Sequence, residues 1–111
     1  MPKLGQVKLR ITGKDVSEIE VNSIHAQIKE RLIEYVYSEN EKDSLQKVIG
    51  ETLKEKAKTI TLAESCTGGK IASKIVSIAG SSIYFSGSVV TYSNELKNKI
   101  LKVEKQVLEN F

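Results

Sequence analysis

Thr59-Ile60-Thr61-Leu62-Ala63-Glu64-Ser65-Cys66-Thr67-Gly68-Gly69-Lys70-Ile71-Ala72 is the stretch that decides the architecture. Residues 59–63 are β-branched and aliphatic and read as a strand. Residues 64–69 (ESCTGG) are the small, polar and glycine residues of a turn. A helix follows from about Gly69 to Ile78, with Ile71, Ala72, Ile75, Val76 and Ala79 inward at helical spacing. After the loop Gly80-Ser81-Ser82, residues 84–92 (YFSGSVVTY) form a second strand rich in Val, Tyr and Phe. Ser93-Asn94 offers a helix start, continued by Glu95 to Leu101. Val103, Val107, Leu108 and Phe111 suggest one more helix.

Upstream, Asp43 is placed to cap a helix, with Gln46 three residues on in capping-box position. Leu45, Val48, Ile49 and Leu53 make its expected buried face. Gly50 on that helix costs about 1 kcal/mol against Ala, so a neighbour packing closely there is expected. Further upstream, Gln6 to Thr12 (QVKLRIT) alternates, with Val7, Leu9 and Ile11 on one face of a half-buried strand that Gly13 ends. Asp15 is placed to cap a helix from Val16 to about Tyr35, whose stripe is Val21, Ile24, Ile28, Leu32 and Tyr35. Tyr35 to Tyr37 reads as a short strand. The linker-like stretch is Ser38-Glu39-Asn40-Glu41-Lys42, and the domain boundary is expected there. The fold class is α/β: an α+β piece over 1–42, then a layered α/β piece over 43–111.

The 111 residues allow one ordinary domain or two small pieces. Hydrophobic residues make up 40% and charged residues 28%, which suits a globular chain and not a disordered one. No run of eighteen apolar residues marks a transmembrane helix, and the first twenty residues carry no signal-peptide core. A lone Cys66 excludes an internal disulfide, and with a single His25 it excludes a conventional Cys/His zinc site. A cytoplasmic location and no membrane association are expected. Seventeen basic against fourteen acidic residues, net +3, is too balanced to argue for nucleic acid. A functional KH module clamps backbone nucleotides with a GXXG loop, and residues 1–42 contain none.

Chemistry is expected at the turn after residue 63, because ligands of open α/β sheets bind at the carboxyl ends of strands. Ser65 sits at such an end. Thr67, Gly68 and Gly69 open a helix whose free N–H groups attract an anion, either a phosphate or the oxyanion formed if Ser65 attacks a carbonyl. The plain alternative is an ordinary βα turn that uses Ser, Thr and Gly as caps. The segment is not a P-loop, since Glu64 and Ile71 stand where Gly and Ser/Thr are required. Neither Gly80-Ser81-Ser82 nor Ser86-Gly87-Ser88 makes a GxSxG elbow. His25 lies beside an apolar stripe and reads as structural or solvated. A nucleophilic Ser65 therefore needs a base other than His, and Lys can serve. With Asn94 as N-cap, Lys97 would sit in the first helical turn, where the helix dipole disfavours an ammonium. Tyr92 ends the preceding strand, so its hydroxyl can reach the same crevice. Taken singly, each is also an ordinary surface or core residue. Cys66 is a competing nucleophile, although most lone cysteines are inert. Glu64 is either an acceptor behind the site or a cap for neighbouring N–H groups.

Three segments together carry a resemblance: Leu62-Ala63-Glu64-Ser65-Cys66-Thr67-Gly68-Gly69; Ile78-Ala79-Gly80-Ser81-Ser82 with Tyr84-Phe85; and Val89-Val90-Thr91-Tyr92-Ser93-Asn94-Glu95-Leu96-Lys97. In order and spacing they resemble the C-terminal domain of the competence/damage-inducible protein CinA family, the nicotinamide mononucleotide (NMN) amidohydrolase. Residues 1–42, including Val7-Lys8-Leu9-Arg10-Ile11-Thr12, look like the KH-like segment that precedes that domain in long members. The resemblance implies hydrolysis of NMN to nicotinic acid mononucleotide and ammonia. It implies Ser65 as nucleophile, Lys97 as base and Tyr92 as supporting hydroxyl. Substrate contacts would come from Glu64, Thr67, Gly68, Gly69 and Asn94. It implies no cofactor and no metal. The family domain continues well beyond the position of Phe111, so 43–111 is expected to be its front half and to be inactive or slow alone. Lys102 and Glu104 stand where Gly and Pro are common. Self-association, as a dimer, is expected from the stripe Val103, Val107, Leu108 and Phe111. The alternative reading is a non-catalytic KH-type nucleic-acid-binding or dimerisation module.

Overall fold

The computed structural model describes residues 5–110. They divide into two compact units, split between Glu39 and Asn40.

In the first unit, α1 spans Glu18–Leu32. Ser17, not Asp15, caps it: the Glu20 N–H donates to Ser17 Oγ at 3.2 Å, and the Ser17 N–H donates to Glu20 Oε2 at 2.9 Å. The reciprocal capping box lies in Ser17-Glu18-Ile19-Glu20. Asp15 instead takes a left-handed φ of 56°. Val21 and Ile28 are half-buried, while Ile24, Leu32 and Tyr35 remain exposed. The strand expected over 6–12 does not form. Gln6 makes an isolated bridge, and Val7 is 85% exposed. Alternating apolar residues build a strand only where a neighbouring strand takes up their N–H and C=O groups. No described strand pairs with this segment. Residues 35–37 are not a strand either, because Tyr35 and Val36 donate back to the Leu32 carbonyl at 2.8 and 3.1 Å, closing the end of α1.

The second unit runs α2 (Leu45–Glu55), β1 (Ile60–Glu64), α3 (Lys70–Val76), a 3₁₀ turn (Ser81–Ile83), β2 (Phe85–Val90), α4 (Asn94–Leu101) and α5 (Lys105–Glu109). This is the α/β class. β1 and β2 pair in parallel, as the crossover through α3 requires, from Ile60↔Phe85 to Glu64↔Val90. The register slips once, between Ile60 and Thr61. On β1, Ile60, Leu62 and Glu64 turn inward while Thr61 and Ala63 face out.

Ser44 caps α2, accepting the Lys47 N–H at 3.4 Å. Asp43 is one residue too early for that role, and its Oδ1 instead accepts from Lys47 Nζ at 2.8 Å. Leu45 and Ile49 are exposed, and Val48 and Leu53 are half-buried. Similarly Ile71, Val76 and Ala79 lie exposed, leaving Ala72 half-buried and Ile75 buried. The reason is width: α3 rests on α2, β2 and the 3₁₀ turn, and a two-stranded sheet covers only a narrow stripe of it. Val103 and Leu108 are half-buried and Val107 is exposed; Phe111 lies outside the described residues.

The buried centre is small. Its apolar members are Ile75 and Tyr84, 4% and 1% exposed, and its polar members are Glu64 and Thr91, 3% and 2% exposed. The hydroxyl end of Tyr84 lies against Gly50 of α2. A Cβ there would stand 2.5 Å from the Tyr84 hydroxyl oxygen and 2.7 Å from Cζ. The close neighbour expected at Gly50 is this ring.

Gly50→Ala should therefore destabilise the second unit. Overpacking of about 1–3 kcal/mol outweighs the roughly 1 kcal/mol that Ala gains in helix propensity. The Tyr84 hydroxyl is buried without a hydrogen-bond partner among the described residues. Tyr84→Phe should hold or raise stability, and in the Gly50→Ala background it should recover part of the loss. Urea midpoints of the two single variants and the double variant give this coupling directly.

Candidate active site

β1 ends at Glu64 and β2 at Val90, side by side, and the Thr91 N–H donates to the Glu64 carbonyl at 2.8 Å. Ser65 follows β1 directly and Tyr92 follows β2 after Thr91, so the parallel pairing places both at the carboxyl end of the sheet. Ser65 is half-buried and Tyr92 is 71% exposed.

The turn 65–69 closes tightly. The Gly68 N–H donates to the Ser65 carbonyl at 3.0 Å, and the Lys70 N–H donates to the Thr67 carbonyl at 3.0 Å. Gly68 and Gly69 take φ of 58° and 92°, left-handed values that a side chain would strain. The Glu64 side chain spans this turn. Its Oε2 accepts the Ile71 N–H and its Oε1 the Ala72 N–H, both at 2.9 Å. The Thr67 hydroxyl and the Gly69 N–H also favour its ionised form. Burial pushes the Glu64 carboxyl up, but the hydrogen bonds from Ala72, Ile71, Thr67 and Gly69 outweigh it. They hold the group ionised, below the ordinary value of 4.5.

This changes the expected division of labour. The N–H groups at the start of α3, which the sequence offers to a phosphate or an oxyanion, are filled by the protein's own carboxylate. The Gly68 N–H is filled by the Ser65 carbonyl and the Lys70 N–H by that of Thr67. The N–H groups of Cys66 and Thr67 are left without an acceptor among the described residues.

Ser93, not Asn94, caps α4: the Leu96 N–H donates to Ser93 Oγ at 3.2 Å. Asn94 is the first helical residue and Lys97 the fourth, at the end of the first turn. Lys97 is half-buried, and its Nζ donates to Asn94 Oδ1 at 3.2 Å. Among the described residues no hydrogen bond joins Ser65 Oγ, Tyr92 Oη and Lys97 Nζ. The topology thus places Ser65 and Tyr92 at the same end of the sheet and leaves Lys97 held by Asn94 on the helix that follows. Cys66 is an exposed free thiol. In the first unit His25 Nε2 stands 3.5 Å from Glu39 Oε2, and Lys29 also bridges to Glu39. A groove of about 330 Å³ between α4 and α5 is lined by Asn94, Asn98, Lys105 and Leu108 among others, and does not include Ser65. Among the described residues no three His, Cys, Asp or Glu side chains cluster as metal ligands, and no helix is long and apolar enough to cross a membrane.

Thr91 is the residue that sequence reasoning missed. It is buried, and its hydroxyl lies 3.5 Å from the Glu64 carbonyl. The signal is a threonine that directly follows the apolar pair Val89-Val90, where the strand ends.

A parallel strand–turn–helix–strand unit with a serine at the strand end defines the class, and comparison with known proteins gives the family. Residues 42–111 match the family of the CinA C-terminal domain, and the chain belongs to that family. A CinA-like protein of Prochlorococcus marinus is 45% identical over 112 residues, covering 97% of this chain and 26% of its own length. The chain thus spans about a quarter of the length of the curated relatives it matches. The crystal structure of the competence/damage inducible protein CihA from Agrobacterium tumefaciens superposes with a TM-score of 0.59 at 37% identity, over 60% of this chain and 41% of that one. The competence-damaged protein (CinA) superfamily protein from Escherichia coli gives 0.59 at 31%, over 67% and 45%.

The depressed Glu64 carboxyl has a consequence for acid stability. The folded protein keeps Glu64 ionised at pH values where the unfolded chain takes up its proton. Its stabilisation is therefore complete above about 4.5 and is lost as pH falls below that and through the folded value. Glu64→Gln should lower the melting temperature at neutral pH, and the gap to wild type should narrow as pH falls below 4.5. Thermal unfolding followed across that range checks it, with the exposed Glu95→Gln as the flat control.

Proposed function

We propose that the chain carries the nucleophile-bearing part of an amide hydrolase acting on NMN, with Ser65, Lys97 and Tyr92 as its reacting groups. What carries the reading is the placement of Ser65 at the β1 end, in a turn clamped on both sides, with Tyr92 at the adjoining end of β2. Family membership supports it.

Ser65 Oγ passes its proton to the Lys97 amine and attacks the carboxamide carbon, giving a tetrahedral oxyanion. The vacant N–H groups of Cys66 and Thr67 suit that oxyanion, and the N–H of the residue after a nucleophile is a recurrent donor. Ammonia departs with the proton held by Lys97 and leaves an acyl ester on Ser65. Water, deprotonated by Lys97, cleaves the ester and returns Ser65 to its hydroxyl form. The Lys97 amine must leave Asn94 to do this, a change of side-chain rotamer on a half-buried residue. Tyr92 supplies a hydroxyl donor at the same end of the sheet.

The test is ammonia release from NMN by a chimera in which residues 42–111 replace the matching part of the Agrobacterium tumefaciens protein. Ser65→Ala should abolish turnover, and Lys97→Ala should cost nearly as much. The Ser65/Lys97 double variant should lose no more than the larger single effect, because the two act as a unit. Tyr92→Phe should cost about 10²-fold. Wild-type turnover by Ser65→Ala, or additive losses in the double variant, would overturn the mechanism.

A further inference from the structure

We propose that Glu64 is a positioning residue for Ser65: its carboxylate, not the chain alone, sets where the serine hydroxyl stands. The inference rests on Ser65 being the nucleophile. Glu64 belongs to two structures at once. Its carbonyl accepts the Thr91 N–H at 2.8 Å, which fixes the end of β1 to the end of β2. Its side chain reaches forward to the first turn of α3, accepting from Ile71 and Ala72 at 2.9 Å each. Ser65 is the first residue of the loop that these contacts enclose. Its own carbonyl is taken by the Gly68 N–H at 3.0 Å, inside the same loop.

Removing the carboxylate leaves the Ser65 end of the loop with Gly68→Ser65 and Lys70→Thr67, and only the last loop residue, Gly69, is still tied to α3, through the Ser73 N–H at 2.9 Å. Two consecutive glycines at left-handed φ make that loop pliant without the brace. The strand would keep its pairing, since the Thr91 bond uses the main chain of Glu64. The serine would then drift relative to Tyr92 and the vacant N–H groups while the sheet stays formed. Glu64 is 3% exposed, with both oxygens directed at backbone donors, so it is turned away from substrate. This separates it from the substrate contact that the family resemblance implies.

The chimera that carries residues 42–111, its Glu64→Gln and Glu64→Asp variants, and a Glu95→Gln control are treated with a fluorophosphonate. Ser65 Oγ forms the P–O bond, fluoride leaves, and Lys97 takes the proton. Labelling of the Ser65 peptide is timed by mass spectrometry, and amide exchange of Thr91 is followed in the same samples. Both Glu64 variants should label roughly 10- to 100-fold more slowly than wild type, the loss expected of a small misplacement. Thr91 should stay protected and Glu95→Gln should label normally. Glu64→Asp keeps the charge but falls short by one methylene, so it decides the matter if Glu64→Gln does not fold. Wild-type labelling rates in a folded Glu64 variant overturn the positioning role and leave Ser65 as nucleophile. Unfolding of both variants assigns Glu64 to stability alone and overturns it as well. Absence of labelling in the wild type overturns the nucleophile and the positioning role together.

Discussion

The Glu64 carboxylate accepts two backbone N–H groups of α3 at 2.9 Å, while its main-chain carbonyl accepts one from the end of β2 at 2.8 Å. Strand, helix and neighbouring strand meet in this one residue. A buried carboxylate without partners would be expelled or protonated. Here donors from Ala72, Ile71, Thr67 and Gly69 keep it charged, and the positive end of α3 is neutralised from within. The helix is only seven residues long, so an internal anion at its start fixes a large share of its free N–H groups.

The surrounding packing is thin, which makes that polar clamp more consequential. Among the described residues the buried set is Gly50, Glu64, Ile75, Tyr84 and Thr91, and the sheet has two strands. Tyr84 closes one side by lying on Gly50, with Lys54 Nζ 5.5 Å from its ring centroid. Thr91 and Glu64 close the other side, at the strand ends where Ser65 and Tyr92 emerge. The candidate chemistry therefore sits where the Glu64 carboxylate and main-chain hydrogen bonds join β1, β2 and α3.

The sequence disclosed the strand–turn–helix–strand order because each piece had its own local signal: β-branched runs at 59–63 and 84–92, glycines at 68 and 69, helical spacing at 71, 72 and 75. It also disclosed a close neighbour at Gly50, since a glycine within a helix asks for one. The strand at 6–12 was misread because alternation reports which side chains could share a face, not whether a partner strand exists. The caps slipped by one or two residues. Asp15, Asp43 and Asn94 have the right chemistry, but Ser17, Ser44 and Ser93 stand where a short side chain reaches the third N–H. Inward faces were overdrawn at Ile71, Val76, Leu45 and Ile49, because periodicity gives the direction of a stripe and not the width of what covers it. Glu64 was left between two roles, and only its two oxygens on Ile71 and Ala72 distinguish them. The Asn94 contact to Lys97 has no sequence signal beyond a spacing of three.

The two sets of bonds at Glu64 close rings of very different size. The carboxylate closes over seven and eight residues to Ile71 and Ala72, whereas the strand register pairs Glu64 with Val90, 26 residues away (90 − 64). The entropy lost on closure grows with the logarithm of the loop, so the short ring is the easier one to form. Once α3 is in place, the long crossover behaves as a shorter and stiffer chain when β2 arrives. The turn that holds Ser65 is thus closed by local contacts and the parallel strand pair by non-local ones, a division set by the sequence separation of one residue's hydrogen bonds.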